Sequence, residues 1–216
     1  MRIVDIWPKS KLDNYLFQDV NMFLTHLVQK DAMYRSIAKR AEGYKILDNS
    51  IIEVGAAFSL IDVLRAAEEI GADEIILPDA YQDGVATLDM VTTSIEYLIA
   101  NNLIGKYKLM AVAQGKDEEE WLWCFNALES IPEIDVIGIP KCLAKMHPAG
   151  RPHFEQYWYN TDKTIHLLGL WYGYVELFEY AYPERIRSVD TCMEAYIEKY
   201  GTHIRPDGFT INLEED

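Results

Sequence analysis

The sequence predicts an α/β protein, a trimmed (β/α)8 TIM-like barrel forming a single domain over residues 1–216. Three observations predict it. Short apolar runs alternate with helical patterns from one end to the other, the mark of parallel strands joined by crossover helices. There are roughly seven or eight such runs, the number a barrel requires. No linker, composition shift or internal repeat marks a second domain. At 216 residues the chain is shorter than the roughly 250 of an ordinary barrel, hence a trimmed one. An open, doubly wound parallel sheet is the alternative.

The elements follow in order. Residues 2–7 alternate apolar and polar and stop at Pro8, as a strand does. Residues 12–41 read as one helix or two, with Leu16, Val20, Phe23, Leu24, Leu27 and Val28 at helical spacing. Arg35, Lys39 and Arg40 suit the C-terminal end of that helix. A strand at residues 44–47 runs into the polar corner Asp48-Asn49-Ser50, and a helix over residues 56–70 is closed by Gly71. A strand at residues 74–79 ends in Asp79, and a helix runs from Gly84 to about residue 102. Residues 109–113 are apolar throughout, as in a strand buried on both faces, and end in Gln114-Gly115. Asp117 caps the next helix, whose first turn carries Glu118, Glu119 and Glu120. Further strands are expected at residues 134–140, 164–169 and 185–190. The strand at residues 164–169 leads into an aromatic helix near residues 172–182, and that at residues 185–190 into a helix near residues 193–200. Residues 208–213 read as one more strand.

Composition narrows the function. Half the residues are hydrophobic, ample for one core, and no apolar run is long enough to span a bilayer. The first residues lack the pattern of a signal peptide, so a cytoplasmic setting is expected and no membrane partner. Cys124, Cys142 and Cys192 have neither CxxC nor zinc-ligand spacing and read as structural thiols. The net charge of −15 opposes binding to nucleic acid.

In a barrel or an open parallel sheet, chemistry gathers at the C-terminal strand ends. Those ends carry Asp48, Asp79, Gln114, Gly169 and Asp190. Any one of them alone is explained as a turn former or a helix cap. Together they bring three acids and an amide to one rim. Two carboxylates around one pocket suit displacement at a sugar carbon, one as nucleophile and one as proton shuttle. An Asp and a Gln beside exposed glycine backbone suit the hydrogen-bonding edge of a guanine-like base. His166 lies within its strand and reads as a core histidine rather than a ligand.

The motifs Leu47-Asp-Asn-Ser50, Leu77-Pro-Asp79, Ala111-Val-Ala-Gln-Gly115, His166-Leu-Leu-Gly169 and Ser188-Val-Asp-Thr191, in this order, resemble the tRNA-guanine transglycosylase superfamily. The chain is most similar to its short phage and bacterial members, which place 7-deazaguanine bases in DNA. The resemblance implies a transferase that exchanges guanine for a 7-deazaguanine derivative through a covalent aspartyl-nucleotide intermediate. It implies Asp190 as nucleophile and Asp48 as the acid that moves protons to and from the base. Asp79, Gln114 and Gly115, with Leu168 and Gly169, would bind the base. No metal and no organic cofactor is implied. The chain departs from the tRNA enzymes in two ways: it has no cysteine- and histidine-rich zinc subdomain, and Asn-Ser-Ile follows Asp48 in place of a glycine-rich turn.

A DNA partner would need a local basic strip on this acidic body. Lys141, Lys145 and Arg151, with Arg185 and Arg187, are the candidates for phosphate contact. The alternatives are a nucleosidase or base-salvage enzyme acting on a small 7-deazaguanine nucleoside, which fits the charge better, and a non-catalytic barrel subunit. Self-association into a homodimer stays open.

Overall fold

Leu109, Met110, Ala111, Val112 and Ala113 are each no more than 3% exposed, so this run is covered on both faces. The strands at Val20–Leu24, Glu74–Ile76 and Val136–Pro140 are likewise buried at every position. The computed structural model describes residues 1–201, and the strand expected at residues 208–213 lies outside them. Eight strands form one sheet: β1 (Arg2–Asp5), β2 (Val20–Leu24), β3 (Tyr44–Asp48), β4 (Glu74–Ile76), β5 (Lys108–Val112), β6 (Val136–Pro140), β7 (Thr164–Leu168) and β8 (Ile186–Thr191). Their order is β1-β8-β7-β6-β5-β4-β3-β2, and all ladders are parallel. The sheet curls into a nearly closed barrel. Among the described residues, only the joint between β1 and β2 lacks a ladder, bridged near it by Gln18 Nε2, which donates to Asp5 O at 3.4 Å. The open doubly wound alternative is set aside by this order.

Helices cover the outside. α1 (Thr25–Lys30) and α2 (Ala32–Arg40) follow β2, and α3 (Ile51–Val54) and α4 (Leu60–Ile70) follow β3. α5 (Gly84–Ala100) follows β4, and α6 (Glu118–Glu129) follows β5. The link after β6 holds 3-10 turns at Lys141–Lys145 and Arg151–Phe154 and the single turn α7 (Glu155–Trp158). After β8 comes α8 (Met193–Tyr200). α4 shows how the sequence sets these helices. Ser59 caps it by accepting from Asp62 N, Val63, Ala66, Ala67 and Ile70 face the core, and Gly71 ends it at φ 67°.

Three expectations are corrected. The helical stretch at residues 12–41 contains β2, whose five residues are all buried. Its apolar positions satisfy a helical period, but a short buried run satisfies a strand equally well. The segment before it, Lys9–Phe17, is a 3-10 helix, so the barrel saves length at its first crossover. The aromatic helix at residues 172–182 is only a 3-10 turn, Gly173–Phe178, opened by Gly173 at φ 79°.

The end of the barrel opposite the strand C-termini is plugged by charge. Arg187 Nη1 and Nη2 donate to Glu74 at 2.7 and 2.9 Å, and Tyr44 Oη donates to the same carboxylate at 2.8 Å. β8 and β4 are four places apart in the sheet, so the pair crosses the interior. A bulge makes this reach available. Ile165 pairs with Ile186 but His166 with Ser188, which leaves Arg187 as the extra residue of β8.

Candidate functional site

The C-terminal strand ends enclose a cavity of about 140 Å3. Its lining includes Asp48, Glu53, Asp79, Gln114, Lys141, Leu168, Gly169 and Asp190, with apolar walls from Met22, Leu24, Ile76, Val112 and Trp171. Four carboxyl groups thus face one lysine.

Asp48 ends β3 and starts a tight polar turn. Its Oδ1 accepts from Ser50 N at 2.5 Å, and Ser50 sits in the left-handed region at φ 63°. The Ser50 hydroxyl in turn accepts from His26 N, and Thr25 Oγ1 donates to the Asp48 carbonyl. Burial pushes the Asp48 carboxyl well above the usual carboxylate range, and the nearby charges of Glu53, Asp190 and Asp79 act in the same direction. The Ser50 N–H opposes them without prevailing.

Asn49, next in the turn, faces Asp79. Its Nδ2 donates to Asp79 Oδ1 at 2.6 Å and to Leu77 O at 2.8 Å. Gln114 Nε2 donates to Asp79 Oδ2 at 2.6 Å, while its own Oε1 accepts from Gln82 N. Asp79 is 1% exposed, and burial carries its carboxyl up to about 6 despite these two amides. Asn49, Asp79 and Gln114 therefore form one interlocked polar floor.

Asp190 is held on the opposite side. Its Oδ1 accepts from Gly169 N at 3.0 Å and faces His166 Nε2 at 3.0 Å. The other imidazole nitrogen, Nδ1, lies 2.8 Å from Ser188 Oγ, which also accepts from Arg187 Nε. The ring is fully buried. A hydrogen-bonded line thus runs from Glu74 through Arg187, Ser188 and His166 to Asp190. Two contacts on Oδ1 leave Oδ2 without a hydrogen bond among the described residues. Gly169 has φ 64°, and a Cβ there would lie 3.0 Å from Lys141 Cδ, so glycine suits both its backbone and its space.

The expected site residues divide by position. Asp48, Asp79, Gln114, Leu168, Gly169 and Asp190 line the one cavity. Gly115 does not; a Cβ there would run into the backbone of Trp121 at the start of α6, so its lack of a side chain serves packing. The basic strip is corrected more strongly. Arg151 is fully buried in an ion pair with Glu176, and Arg187 crosses the barrel core. Lys141 is half-buried and lines the cavity. Lys145 is exposed, its ammonium 5.0 Å from the Trp171 ring. Arg185 is exposed and donates to Thr161 O. Asn49, Glu53, His166, Ser188 and Glu176 went unread as site residues. The available signals were that Ser188 and Asp190 share a strand face, and that Asn49 adjoins Asp48.

Burial pushes the Cys142 thiol, which also lines the cavity, up to about 11, so it is no ready nucleophile. Among the described residues, no three His, Cys, Asp or Glu side chains are grouped so as to hold a metal ion. No helix of the described residues is long and apolar enough to cross a membrane.

The fold and the cavity define a (β/α)8 barrel with an acidic site at the C-terminal rim of its strands. No family model matches the chain, and no curated protein matches its sequence. Solved structures do match. The YdjI aldolase of Escherichia coli K12 is 9% identical with a TM-score of 0.54, over 94% of this chain and 81% of that one. A glycerol uptake operon antiterminator-related protein of Thermotoga maritima is 15% identical with a TM-score of 0.55, over 90% of this chain and 96% of that one. An oxaloacetate acetylhydrolase, solved with the inhibitor 3,3-difluorooxalacetate, is 13% identical with a TM-score of 0.58, over 97% of this chain and 85% of that one. At these identities the likeness is one of fold.

The family resemblance drawn from the motifs is corrected at this point. The matching barrels are of the aldolase and acetylhydrolase type and not transglycosylases. The expectation of a glycosyltransferase exchanging a 7-deazaguanine base in DNA is overturned by that finding, and with it the nucleosidase alternative.

Proposed function

We propose that the chain is a bond-cleaving enzyme of the lyase or hydrolase kind, in which Asp48 gives a proton and Asp190 takes one. One observation carries this. Two carboxyl groups share a small cavity but have opposed surroundings. Asp48 is pushed toward its protonated form by burial and by neighbouring acids. Asp190, which lines the same cavity, has two contacts on one oxygen, an arrangement that suits a carboxylate and leaves the other oxygen without a hydrogen bond among the described residues. Paired groups whose environments differ in this way divide into acid and base. The proton count balances. As the bond breaks, Asp48 protonates the departing atom while Asp190 accepts a proton from the substrate (lyase) or from water (hydrolase). Two of the barrels of like fold are named as an aldolase and an acetylhydrolase, which supports this class.

The lining sets the substrate's charge. With Asp48 protonated, Glu53, Asp79 and Asp190 still outnumber Lys141 and disfavour an anion, so the substrate is neutral or cationic, small, and rich in O–H or N–H donors. A dianion such as the inhibitor bound to the acetylhydrolase does not suit it. A cytoplasmic setting belongs to the same proposal, supported by Cys124, Cys142 and Cys192, which form no disulfide.

The test is a panel of small hydroxy and oxo compounds, neutral, cationic and dianionic, with products read by mass spectrometry. Cleavage of neutral or cationic members is expected, reduced roughly 100-fold or more in Asp190→Asn and in Asp48→Asn. Turnover confined to dianions, or unchanged in Asp190→Asn, overturns the proposal.

A further inference from the structure

We infer that the buried Arg151–Glu176 pair is the positioning element of the site, fixing the peptide whose N–H donates to Asp190. This rests on the reading of Asp190 as the base. Arg151 lies 17 residues before Leu168 in the chain and is fully buried, and each of its three nitrogens donates a hydrogen bond. Nε donates to Glu176 Oε1 at 2.7 Å. Nη1 donates to Ile139 O at 3.0 Å and to Leu168 O at 3.1 Å. Nη2 donates to Gly169 O at 2.7 Å and lies 2.6 Å from Glu176 Oε1 in the ion pair. These four donations reach four acceptors, one carboxylate oxygen and three backbone carbonyls.

The peptide between Leu168 and Gly169 is the link to the site. In a trans peptide the C=O and the N–H point to opposite sides of one plane. Here the C=O of Leu168 accepts from Arg151, and the N–H of Gly169 donates to Asp190 Oδ1. Fixing the carbonyl end therefore fixes the direction of the N–H. Arg151 also holds Ile139 O at the end of β6, so it ties two strand ends together behind the cavity wall. Glu176 completes the frame. Its Oε2 accepts from Trp171 N at 2.7 Å, and Tyr180 Oη donates to its Oε1. The loop that carries Gly169, Leu170 and Trp171 is thus held from both ends by one ion pair, at a place where φ 64° at Gly169 gives it no ladder of its own.

A lysine has three donors and no planar fork, so it cannot satisfy this acceptor set. Arg151→Lys and Glu176→Gln are the test variants, with folding checked by circular dichroism. The readout is the Gly169 amide in 15N NMR, both its proton shift and its exchange with deuterium oxide. In Arg151→Lys the Gly169 proton is expected to move upfield and its exchange to speed up about tenfold or more, the factor that about 1.4 kcal/mol represents. Amides of β3 and β5 are expected to keep their rates. Glu176→Gln preserves shape, and a smaller change in the same direction is expected, so the question is answered even if Arg151→Lys does not fold. Unchanged Gly169 shift and exchange in a folded variant overturns the inference. If Gly169 responds but turnover ignores Asp190→Asn, the acid–base proposal fails while the positioning role stands.

Discussion

His166 Nε2 lies 3.0 Å from Asp190 Oδ1, and Ser188 Oγ lies 2.8 Å from the ring's other nitrogen, so the imidazole is fixed at both ends. Which nitrogen carries hydrogen is set by these partners: Asp190 as acceptor takes the Nε2–H, and Nδ1 then accepts from the Ser188 hydroxyl. Replacing the ring removes a contact that aims the carboxylate. In His166→Phe, kcat is expected to fall on the order of 100-fold, the loss that a misplacement of about 1 Å produces, with KM changed far less. His166→Gln, which retains a donor, should recover part of it. Steady-state kinetics on the substrate found by the compound panel checks both, and equal effects of the two variants would remove the orienting role.

The pair that crosses the barrel makes a separate prediction about stability. Glu74 is fully buried and faces Arg187. Arg187→Ala leaves that carboxylate with Tyr44 as its remaining hydrogen-bond donor, and removing one partner of a buried pair costs about 3–5 kcal/mol. Arg187→Met combined with Glu74→Leu removes both charges and should cost much less. Urea unfolding of the single and double variants measures the difference.

Asp5 supplies a pH effect away from the cavity. Burial, and then the charge of Glu194, push its carboxyl from 3.8 up to about 6. Its Oδ1 has no hydrogen-bond partner among the described residues. A raised carboxyl favours the fold while protonated. The stability it contributes is fully present below about pH 3.8 and is lost as pH rises through about 6. Asp5→Asn should therefore raise stability at pH 8 by about 1–2 kcal/mol, after allowance for its partial exposure to solvent. The gain should shrink to nothing below about pH 4. Thermal melts across that range test it, and a gain independent of pH contradicts it.

Gly138 shapes the cavity from below. A Cβ there would lie 2.9 Å from Leu168 Cδ1 and 3.2 Å from Val112 Cγ2, both of which belong to lining residues. The Leu168 methyl can swing aside, and the space open to it is the cavity. Gly138→Ala is expected to cost about 1 kcal/mol of stability and to weaken substrate binding more than it weakens the fold. Isothermal titration beside a denaturation curve separates the two effects.

Much of the fold was legible because strands buried on both faces announce themselves as apolar runs, as in β5 and β6. β2 was not. Val20-Asn-Met-Phe-Leu24 lies against residues that continue a helical period into α1, and five residues are too few for the period to decide. The acids at the strand ends were legible for a simple reason: each sits where a short apolar run stops. The basic residues misled because Arg is an exposed type by default. The partners of Arg151 and Arg187 lie 25 and 113 residues away, beyond any local pattern. His166 was legible as a core residue, and it is one; its contact with Asp190 depends on the bulge at Arg187, which sequence spacing does not reveal.

A ring of eight staves with seven hoops has one place where it can spring. Between β1 and β2 no ladder closes the ring, so each of these strands keeps one flank of backbone groups outside the sheet. Cutting the chain in the 3-10 link between them and rejoining the ends elsewhere would sever no strand pairing. Such a permuted chain should keep the cavity intact, because all its lining acids lie on β3, α3, β8 and the loop that follows β4. The same gap marks where deuterium should first enter the barrel wall, ahead of β3 and β8, which carry Asp48 and Asp190.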